Sequence, residues 1–255
     1  MPRQARQNKL ILPSPEPTTW PSLTAKFHLA HVQIYSEDDM KRVTAIETQK
    51  AKRGRVNLFL DGAYAFSLSI PVASTAGLHE GQELTSKEVE KLQNDDLLHR
   101  SLNSALRYLS PRPRSETEVR NRLRRQGYDA DTIQQVIDKL KEQKLIDDAD
   151  FARFWRENRE NFRPRSRRFI EFELRQKGVD AETTVAVTEG LDDELNAYRA
   201  AQKKTAVLAG LNYQDFAKRL SAFLRQRGFS YEVINCTVNR AWQEQTSQNS
   251  ISNTA

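Results

Sequence analysis

The chain carries one phrase three times: Leu123-Arg-Arg-Gln-Gly127-Tyr128, then Leu174-Arg-Gln-Lys-Gly178-Val179, then Leu224-Arg-Gln-Arg-Gly228-Phe229. An upstream phrase, Arg112-Pro-Arg-Ser115, also recurs, as Arg163-Pro-Arg-Ser166. The copies lie about 50 residues apart, and a period of that length with helical patterning is typical of an array of similar helical units.

The repeated phrase has the chemistry of a helix end. Glycine is the preferred residue just past a helix because it enters the left-handed region without a Cβ clash. The residue after that glycine packs back on the helix, so we expect Tyr128 to contact Leu123 and to staple to Ile133 of the following helix. The next helices begin at once, with the N-cap residues Asp129, Asp180 and Ser230.

Each unit is therefore predicted to hold three helices. In the first unit, one helix ends near Leu109, a second runs from the Ser115-x-x-Glu118 capping box to Gln126, and a third covers about 130–144. Asp148 is expected to cap the first helix of the second unit, and the third unit, from about Asp193, is the least regular. We place the three units at 98–147, 148–192 and 193–245.

A β pattern precedes the repeats. Candidate strands lie at 43–47, 56–60 and 63–68. The second and third flank Asp61-Gly62, a dipeptide that favours the tight type I′ turn of a hairpin. With these two residues as the loop, Phe59 faces Tyr64 across the ladder. A three-stranded sheet of this size needs a covering element to be stable.

The covering element is predicted to be a helix that starts at the Thr85-x-x-Glu88 capping box. Asp95-Asp96 is expected to interrupt this helix, so the β-rich domain is placed at 41–97. The predicted fold is mainly α: tandem three-helix repeats in an elongated array, preceded by a small β-hairpin or three-stranded sheet domain.

The two ends of the chain differ from the rest. Residues 1–40 are interpreted as a disordered leader, because Pro13, Pro15, Pro17 and Pro21 break any regular element there. Met40 opens the first well-patterned segment and is an alternative start of the natural protein. The polar residues 246–255 are predicted to be a disordered tail.

The charge of the chain is unevenly placed. Forty Lys and Arg residues stand against 34 Asp and Glu residues, which gives a net charge of +6. Residues 1–99 hold equal numbers of acidic and basic side chains, so all of the excess lies in the repeats. This points to a polyanion or an acidic protein surface as partner, whereas the alternative is a solvated, salt-bridged helical surface.

Signatures of catalysis and of cofactors are missing from the sequence. It has no phosphate-binding glycine loop, no dinucleotide fingerprint, no zinc-protease motif and no nucleophile elbow. The carboxylates of Asp147-Asp148-x-Asp150 could hold Mg²⁺, but their place ahead of a helix favours an N-cap role. We therefore predict a protein that is not an enzyme and needs no cofactor or metal.

The sequence also indicates the cellular compartment of the protein. No apolar run approaches the length of a membrane span, and the lone Cys236 cannot form an intramolecular disulfide. These features predict a cytoplasmic protein, in a reducing compartment and without membrane attachment.

The candidate binding residues are arginines, because the guanidinium group binds phosphate and carboxylate through two parallel hydrogen bonds. One arginine recurs directly after each anchor leucine, where a cation also gains about 0.3–1 kcal/mol from the helix dipole without any ligand. The candidates are Arg112, Arg114, Arg120, Arg124, Arg125, Arg163, Arg165, Arg167, Arg168, Arg175, Arg225 and Arg227.

Over about residues 40–244, the order and spacing of several segments resemble the RecX family of recombination regulators. The matching segments are Ala105-Leu-Arg-Tyr-Leu109, Ser115-Glu-x-Glu-Val-x-x-x-Leu123, Leu145-Ile-Asp-Asp148-x-x-Phe151-Ala-x-x-Trp155, Ile170-x-x-Glu173-Leu, Leu224-x-x-Arg227-Gly-Phe229 and the hairpin Leu58-Phe-Leu-Asp-Gly-x-Tyr-Ala-Phe. The hairpin is similar to the β extension of longer members.

The resemblance implies a partner and a role. Members of this family bind the RecA recombinase filament on single-stranded DNA and inhibit its ATPase and strand exchange, hence recombination, repair and the SOS response. We accordingly expect a monomer that also binds DNA, single-stranded or double-stranded, weakly and without sequence preference.

Two other functions stay open. A sequence-specific DNA-binding regulator could be built from helix-turn-helix-like units, although helix three of the first repeat offers only Gln134 and Gln135 for reading bases. A structural scaffold would bind neither DNA nor recombinase.

Overall fold

A computed structural model describes residues 40–50 and 54–252 of the chain, so the predicted leader lies outside the described residues. The chain begins with an antiparallel sheet whose strands lie in the order β3-β2-β1-β4. The strands are β1 (Lys41–Thr48), β2 (Arg55–Leu60), β3 (Ala63–Ser69) and β4 (Glu83–Leu84). The two-residue β4, which pairs with the start of β1, was not predicted.

The predicted hairpin between β2 and β3 is confirmed. Asp61 and Gly62 both have positive φ, at 52° and 82°, as the tight turn requires. Phe59 pairs with Tyr64, and their rings meet edge to face at 6.0 Å between centroids. The Asp-Gly loop therefore sets the register of the sheet.

Two helices follow the hairpin and close the sheet domain. The short α1 (Ile70–Thr75) was not predicted, whereas α2 (Ser86–Leu109) begins with the predicted reciprocal capping box between Thr85 and Glu88. Val89 and Leu92 of α2 pack with Leu58 and Leu68 of the sheet in one apolar core. The helix is thus the predicted cover of the sheet.

The predicted interruption at Asp95-Asp96 is wrong, because α2 continues through both residues as a single helix. The Asp96 carboxylate is buried, where it accepts hydrogen bonds from Ser69 N–H and Ser69 Oγ at 2.7 Å each and pairs with Arg55 at 3.1 Å. These contacts satisfy the charge inside the helix. The predicted boundary at 97 consequently falls within a helix whose start packs on the sheet and whose end packs on the first repeat.

The rest of the described chain consists of three-helix repeats, as predicted. The last turns of α2 provide the first helix of repeat one, and α5 and α8 open repeats two and three. The other bounds are α3 (Glu116–Arg125), α4 (Ala130–Glu142), α5 (Asp148–Phe162), α6 (Arg167–Gln176), α7 (Ala181–Thr188), α8 (Asp193–Thr205), α9 (Tyr213–Arg225) and α10 (Tyr231–Ser252).

Repeat three departs from the regular pattern in two places. A 3₁₀ turn (Ala206–Leu208) follows α8, close to the predicted irregularity at Gly210. Helix α10 extends to Ser252, beyond the predicted end of the repeat at 245. The predicted disorder of the polar tail is wrong for residues 246–252, which continue α10, and the side chain of Thr246 bonds back to the helix carbonyl oxygens of Trp242 and Gln243.

The glycine-terminated helix ends form as predicted. In repeat one, Tyr128 N–H bonds Leu123 O and Gly127 N–H bonds Arg124 O, the paired hydrogen bonds of a Schellman motif. The same pair recurs at the end of α6, and the three middle-helix glycines have φ of 84–87°. Asp129, Asp180 and Ser230 each accept a hydrogen bond from the backbone N–H three residues later.

The middle helices also join one repeat to the next. Asp148, the first residue of α5, accepts the Glu116 N–H of α3 at 2.8 Å, and Asp193 of α8 accepts the Arg167 N–H of α6 at 2.6 Å. Each repeat therefore satisfies one free donor at the start of the preceding middle helix. The N-cap of α5 is Asp147 and not the predicted Asp148, because the Asp147 carboxylate accepts the N–H groups of Ala149 and Asp150 while Asp148 turns to Glu116. These carboxylates therefore have structural roles.

The Asp148 contact predicts opposite results for two substitutions. Asp148→Ala should lower the free energy of unfolding by about 1–2 kcal/mol, since it leaves the Glu116 N–H without its acceptor. Asp148→Asn keeps an acceptor oxygen and removes the charge, so it should match or exceed the wild type at neutral pH. Urea denaturation followed by circular dichroism measures both.

The pH dependence provides a further check. Burial raises the pKa of Asp148 above its ordinary value, against the hydrogen bond from Glu116 N–H. A raised folded-state pKa stabilises the protein below the unfolded pKa, and this contribution is lost as the pH rises through the folded pKa. The advantage of Asp148→Asn should accordingly grow from acidic to neutral pH. An Asn variant as unstable as the Ala variant would contradict the assignment.

Candidate functional site

The structure gives eight of the twelve predicted arginines partners within the chain, and five of them show the pattern. Arg112 pairs with Glu118 at 3.0 Å and Arg120 with Glu116 at 2.5 Å. Arg114 instead lies over the Tyr108 ring, 4.1 Å from its centroid. Arg167 and Arg175 share the carboxylate of Glu171. These contacts agree with the salt-bridged alternative and make these side chains less available to a ligand.

Other predicted arginines are exposed. The recurring position after the anchor leucine faces solvent in all three repeats, as predicted, and lies in the last turn of each middle helix. Among the described residues, four candidates have neither an ion pair nor a side-chain hydrogen bond: Arg125, Arg163, Arg168 and Arg225.

The contact between repeats one and two, which we call the first junction, has its positive charge partly neutralised by a carboxylate. It holds the loop residue Arg112, the α3 residue Glu118 and Lys177 from the end of α6. The carboxylate of Glu118 binds both Arg112, at 3.0 Å, and Lys177, at 2.8 Å. Burial opposes the charge, but these two hydrogen bonds hold the pKa of Glu118 below its ordinary value.

This use of Glu118 corrects a detail of the sequence prediction. Ser115 Oγ accepts the Glu118 N–H at 3.2 Å, so half of the predicted capping box is present. The Glu118 carboxylate, however, turns to the two cations of the junction instead of returning to the Ser115 N–H. Ser115 Oγ donates in turn to Lys177 O at 2.6 Å, which ties the two repeats together.

The contact between repeats two and three, the second junction, also joins a capping serine to the carbonyl oxygen of the residue before a glycine, but it carries a different charge. Ser166 N–H donates to Arg227 O at 3.1 Å, which brings Arg227 beside the loop residues Arg163 and Arg165. The position that corresponds to Glu118 is Phe169, which like Glu118 donates its N–H to the capping serine. The carboxylate that neutralises the first junction is therefore replaced by an apolar ring.

The electrostatics of the second junction reflect this replacement. Burial, together with repulsion from Arg165 and Arg163, lowers the pKa of Arg227. Arg227 stacks on Phe223, 3.6 Å from the ring centroid, and Arg165 on Phe169 at 4.2 Å. Within the part of the chain that the structure describes, neither Arg163 nor Arg227 has a carboxylate within ion-pair distance.

The nearest acid at the second junction is committed elsewhere. Glu173 accepts two hydrogen bonds from Arg159, at 2.6 and 3.1 Å, and a third from Trp155 Nε1 at 2.9 Å. Arg165 approaches the same carboxylate only at 3.7 Å. Three guanidinium groups therefore lie close together with little charge compensation by carboxylates. Such an arrangement is suited to binding the phosphate or carboxylate groups of a ligand.

Some residues of interest were missed by the sequence analysis. Lys177 was overlooked, although it occupies the same place before the glycine as Arg227. The difference between Glu118 and Phe169 could have been found by aligning the two repeats on Ser115 and Ser166. Arg100 and Arg107 lie outside the repeated phrases, and nothing local in the sequence relates them to Arg55.

Residues 40–50 and 54–252 contain neither a cluster of metal-binding side chains nor a membrane-spanning helix. No group of three His, Cys, Asp or Glu side chains there could hold a metal ion. No helix there has the length and apolar character needed to cross a bilayer.

Family models match the chain in four consecutive segments. They are described as the regulatory protein RecX N-terminal domain, at residues 41–85, and the first, second and third three-helix domains of RecX, at 102–140, 147–185 and 192–238. These segments follow the sheet and the three repeats described above.

Individual relatives give the same result. A regulatory protein RecX of Clostridium botulinum (strain Alaska E43) is 30% identical over 207 residues, which cover 79% of this chain and 97% of the relative. One from Listeria monocytogenes serotype 4b (strain F2365) is 29% identical over 206 residues, 80% of this chain and 77% of the relative. A crystal structure of regulatory protein RecX, 25% identical, covers 78% of this chain and 99% of its own, with a TM-score of 0.57.

Proposed function

Because this chain belongs to the RecX family, we propose that it is a regulator that binds the RecA filament on single-stranded DNA and inhibits its ATP hydrolysis and strand exchange. It acts by binding, without chemistry of its own, in the cytoplasm where recombination and repair take place. The observation that carries the proposal is the uncompensated charge of the second junction, at Arg163, Arg165 and Arg227.

The chemistry of the second junction suits a nucleoprotein filament. Guanidinium groups bind phosphate oxygens bidentately, and each phosphate that is neutralised releases counterions from the nucleic acid. A RecA–DNA filament offers a repeating array of phosphates and acidic side chains. Arg163 and Arg227 have no carboxylate partner among the described residues, so these two side chains give up no ion pair when they bind such a surface.

The way the repeats are joined supports the same role. Hydrogen bonds from Ser115 to Lys177 and from Ser166 to Arg227 fix each repeat against the next. The backbone at Arg227 is therefore fixed before binding, and its guanidinium group is stacked on Phe223, which lowers the entropy cost of association. Exposed arginines at the helix ends, Arg124, Arg125, Arg168 and Arg225, extend the cationic surface.

The test is single-stranded DNA-dependent ATP hydrolysis by RecA from the same organism while this protein is titrated. We expect inhibition below equimolar protein. The double variant Arg163→Ala/Arg227→Ala should need about tenfold more protein for half inhibition, the equivalent of losing about 1.4 kcal/mol of binding. Arg199→Ala/Arg219→Ala is the matched control, since both side chains are exposed and lie outside the second junction.

Three outcomes would change the conclusion. Unchanged ATP hydrolysis at equimolar protein, with a folded circular dichroism spectrum, would refute the regulation of RecA. Equal losses in the test and control variants would refute the second junction as the site. Tight binding to one DNA sequence in the absence of RecA would favour the sequence-specific regulator, although Gln134 is already held by Arg120 and Asp138.

A further inference from the structure

A cleft lies between the sheet domain and the first repeat, away from both junctions. It encloses about 770 Å³ and is lined by the turn before β2, the end of β3, one face of α2 and the end of α3. This volume is within the range of sites that bind small ligands. Every lining residue precedes 129, so the cleft shares no side chain with the second junction.

The lining of the cleft is strongly cationic. Four arginines contribute to it, Arg55, Arg100, Arg107 and Arg122, together with His99, and none of its lining residues is an Asp or a Glu. Arg107 is exposed and forms neither an ion pair nor a side-chain hydrogen bond within the described chain.

A buried carboxylate behind the wall of the cleft holds one of the four arginines in a fixed orientation. Asp96 is 4% exposed, pairs with Arg55 at 3.1 Å and lies 4.0 Å from Arg100. Arg55 is therefore fixed in the wall, with a further hydrogen bond to Ser67 O at 2.6 Å. Arg100 remains half exposed and Arg107 is free, two turns further along the same helix, about 10 Å away along its axis.

The uncharged lining groups add selectivity. Asn103 and Gln126 bring amide groups, Ser104 brings a hydroxyl, and Tyr108 and Tyr128 bring aromatic rings. Cations that follow a phosphate backbone, together with aromatic rings and hydrogen-bonding groups for bases, are the combination found in single-stranded nucleic acid sites. The Tyr108 ring already lies under Arg114 and Arg122, and Ser104 donates to Gln126 Oε1. The Tyr128 ring and the amide NH2 of Gln126 remain for a base, whereas an acidic peptide would use the cations alone.

We propose that this cleft binds nucleotide phosphates, with Arg100 and Arg107 as the main phosphate ligands and Arg122 at the opposite wall. The site requires no recombinase, so it can be tested separately from the regulation of RecA. The phosphates can belong to a strand of DNA or to a free mononucleotide, and the shared chemistry is the recognition of phosphate by guanidinium groups.

The experiment measures fluorescence anisotropy of a short fluorescein-labelled oligothymidylate with the full chain, in the absence of RecA. Arg100→Ala/Arg107→Ala should raise the Kd about tenfold, or more if both phosphate contacts are lost. The control Arg199→Ala/Arg219→Ala should change it less than about twofold. In parallel, ¹H–¹⁵N spectra should show shifts of the side-chain amides of Asn103 and Gln126 on binding.

Competition identifies the source of the phosphate. Displacement by thymidine monophosphate, with the same amide shifts, assigns a mononucleotide site, whereas displacement by unlabelled oligothymidylate alone assigns a strand. Unchanged binding in Arg100→Ala/Arg107→Ala would overturn the proposal, as would amide shifts induced by polyglutamate but not by either nucleotide ligand. Since Arg163→Ala/Arg227→Ala leaves the cleft intact, its amide shifts with thymidine monophosphate should equal those of the wild type.

Discussion

Gly178→Ala should lower the free energy of unfolding by about 2–5 kcal/mol, because two penalties add at this position. Gly178 has φ of +84°, a conformation that an L side chain adopts only with strain. A Cβ atom here would also lie 2.0 Å from Thr117 Oγ1 and 2.6 Å from Thr117 Cβ. Because the Cβ atom of Thr117 is fixed to the backbone of α3, the clash is relieved only by separating repeats one and two.

The chain provides its own control for this prediction. Gly127 ends α3 with φ of +87°, but an added Cβ atom would meet nothing within 4 Å. Gly127→Ala should therefore cost only the backbone strain, about 1–2 kcal/mol. Gly228→Ala should resemble Gly178→Ala, since its Cβ atom would lie 2.9 Å from Phe169 Cβ. Urea denaturation measures all three, and equal losses for Gly127→Ala and Gly178→Ala would contradict a role in docking.

The contrast among these glycines shows what the sequence could and could not reveal. The helix ends were predictable because the Leu-to-Gly phrase and the capping residues act on neighbours within a few positions. The docking of Gly178 on Thr117 was not predictable, since the two residues are far apart in sequence and belong to different repeats. The repeated Leu-to-Gly phrase therefore ends a helix in all three repeats, and in two of them its glycine also allows close packing against another repeat.

The errors in the fold prediction have the same origin. Asp95-Asp96 was expected to break a helix because two acidic residues have low helix propensity. The break is absent because Ser69 and Arg55, from the sheet, satisfy Asp96 inside the fold. Local propensity is overridden wherever a distant partner compensates for a buried charge.

The sequence predicted the candidate site only as a set of arginines, without their partners. Counting arginines could not distinguish Arg112, which Glu118 neutralises, from Arg163, which has no carboxylate partner among the described residues. Pairing depends on which side chains the fold brings together. The sequence did hold one usable signal, the exchange of Glu118 for Phe169 at the same position of two repeats.

This exchange leads to the second large prediction. Phe169→Glu should compensate the positive charge of the second junction as Glu118 does in the first. A carboxylate would then lie beside Arg163, Arg165 and Arg227. A glutamate also suits the third position of a helix that begins with a serine cap, so the fold should tolerate it. The protein needed for half inhibition of RecA should rise about tenfold or more, as expected if a charge-assisted phosphate contact is lost.

Phe169→Gln separates charge from shape. Glutamine has the size of glutamate and also removes the aromatic ring, so it should weaken inhibition far less than Phe169→Glu.

Glu118→Gln is the reciprocal change: it frees Arg112 and Lys177 from their shared carboxylate and should increase affinity for single-stranded DNA, with a steeper dependence on salt. Its stability loss should be greatest at neutral pH and should fade as the pH falls through the lowered pKa of Glu118, where the wild type also loses this ion pair. If Phe169→Gln and Phe169→Glu weakened inhibition equally, the ring of Phe169 would matter and the charge of the second junction would not, because charge is the main difference between these two variants.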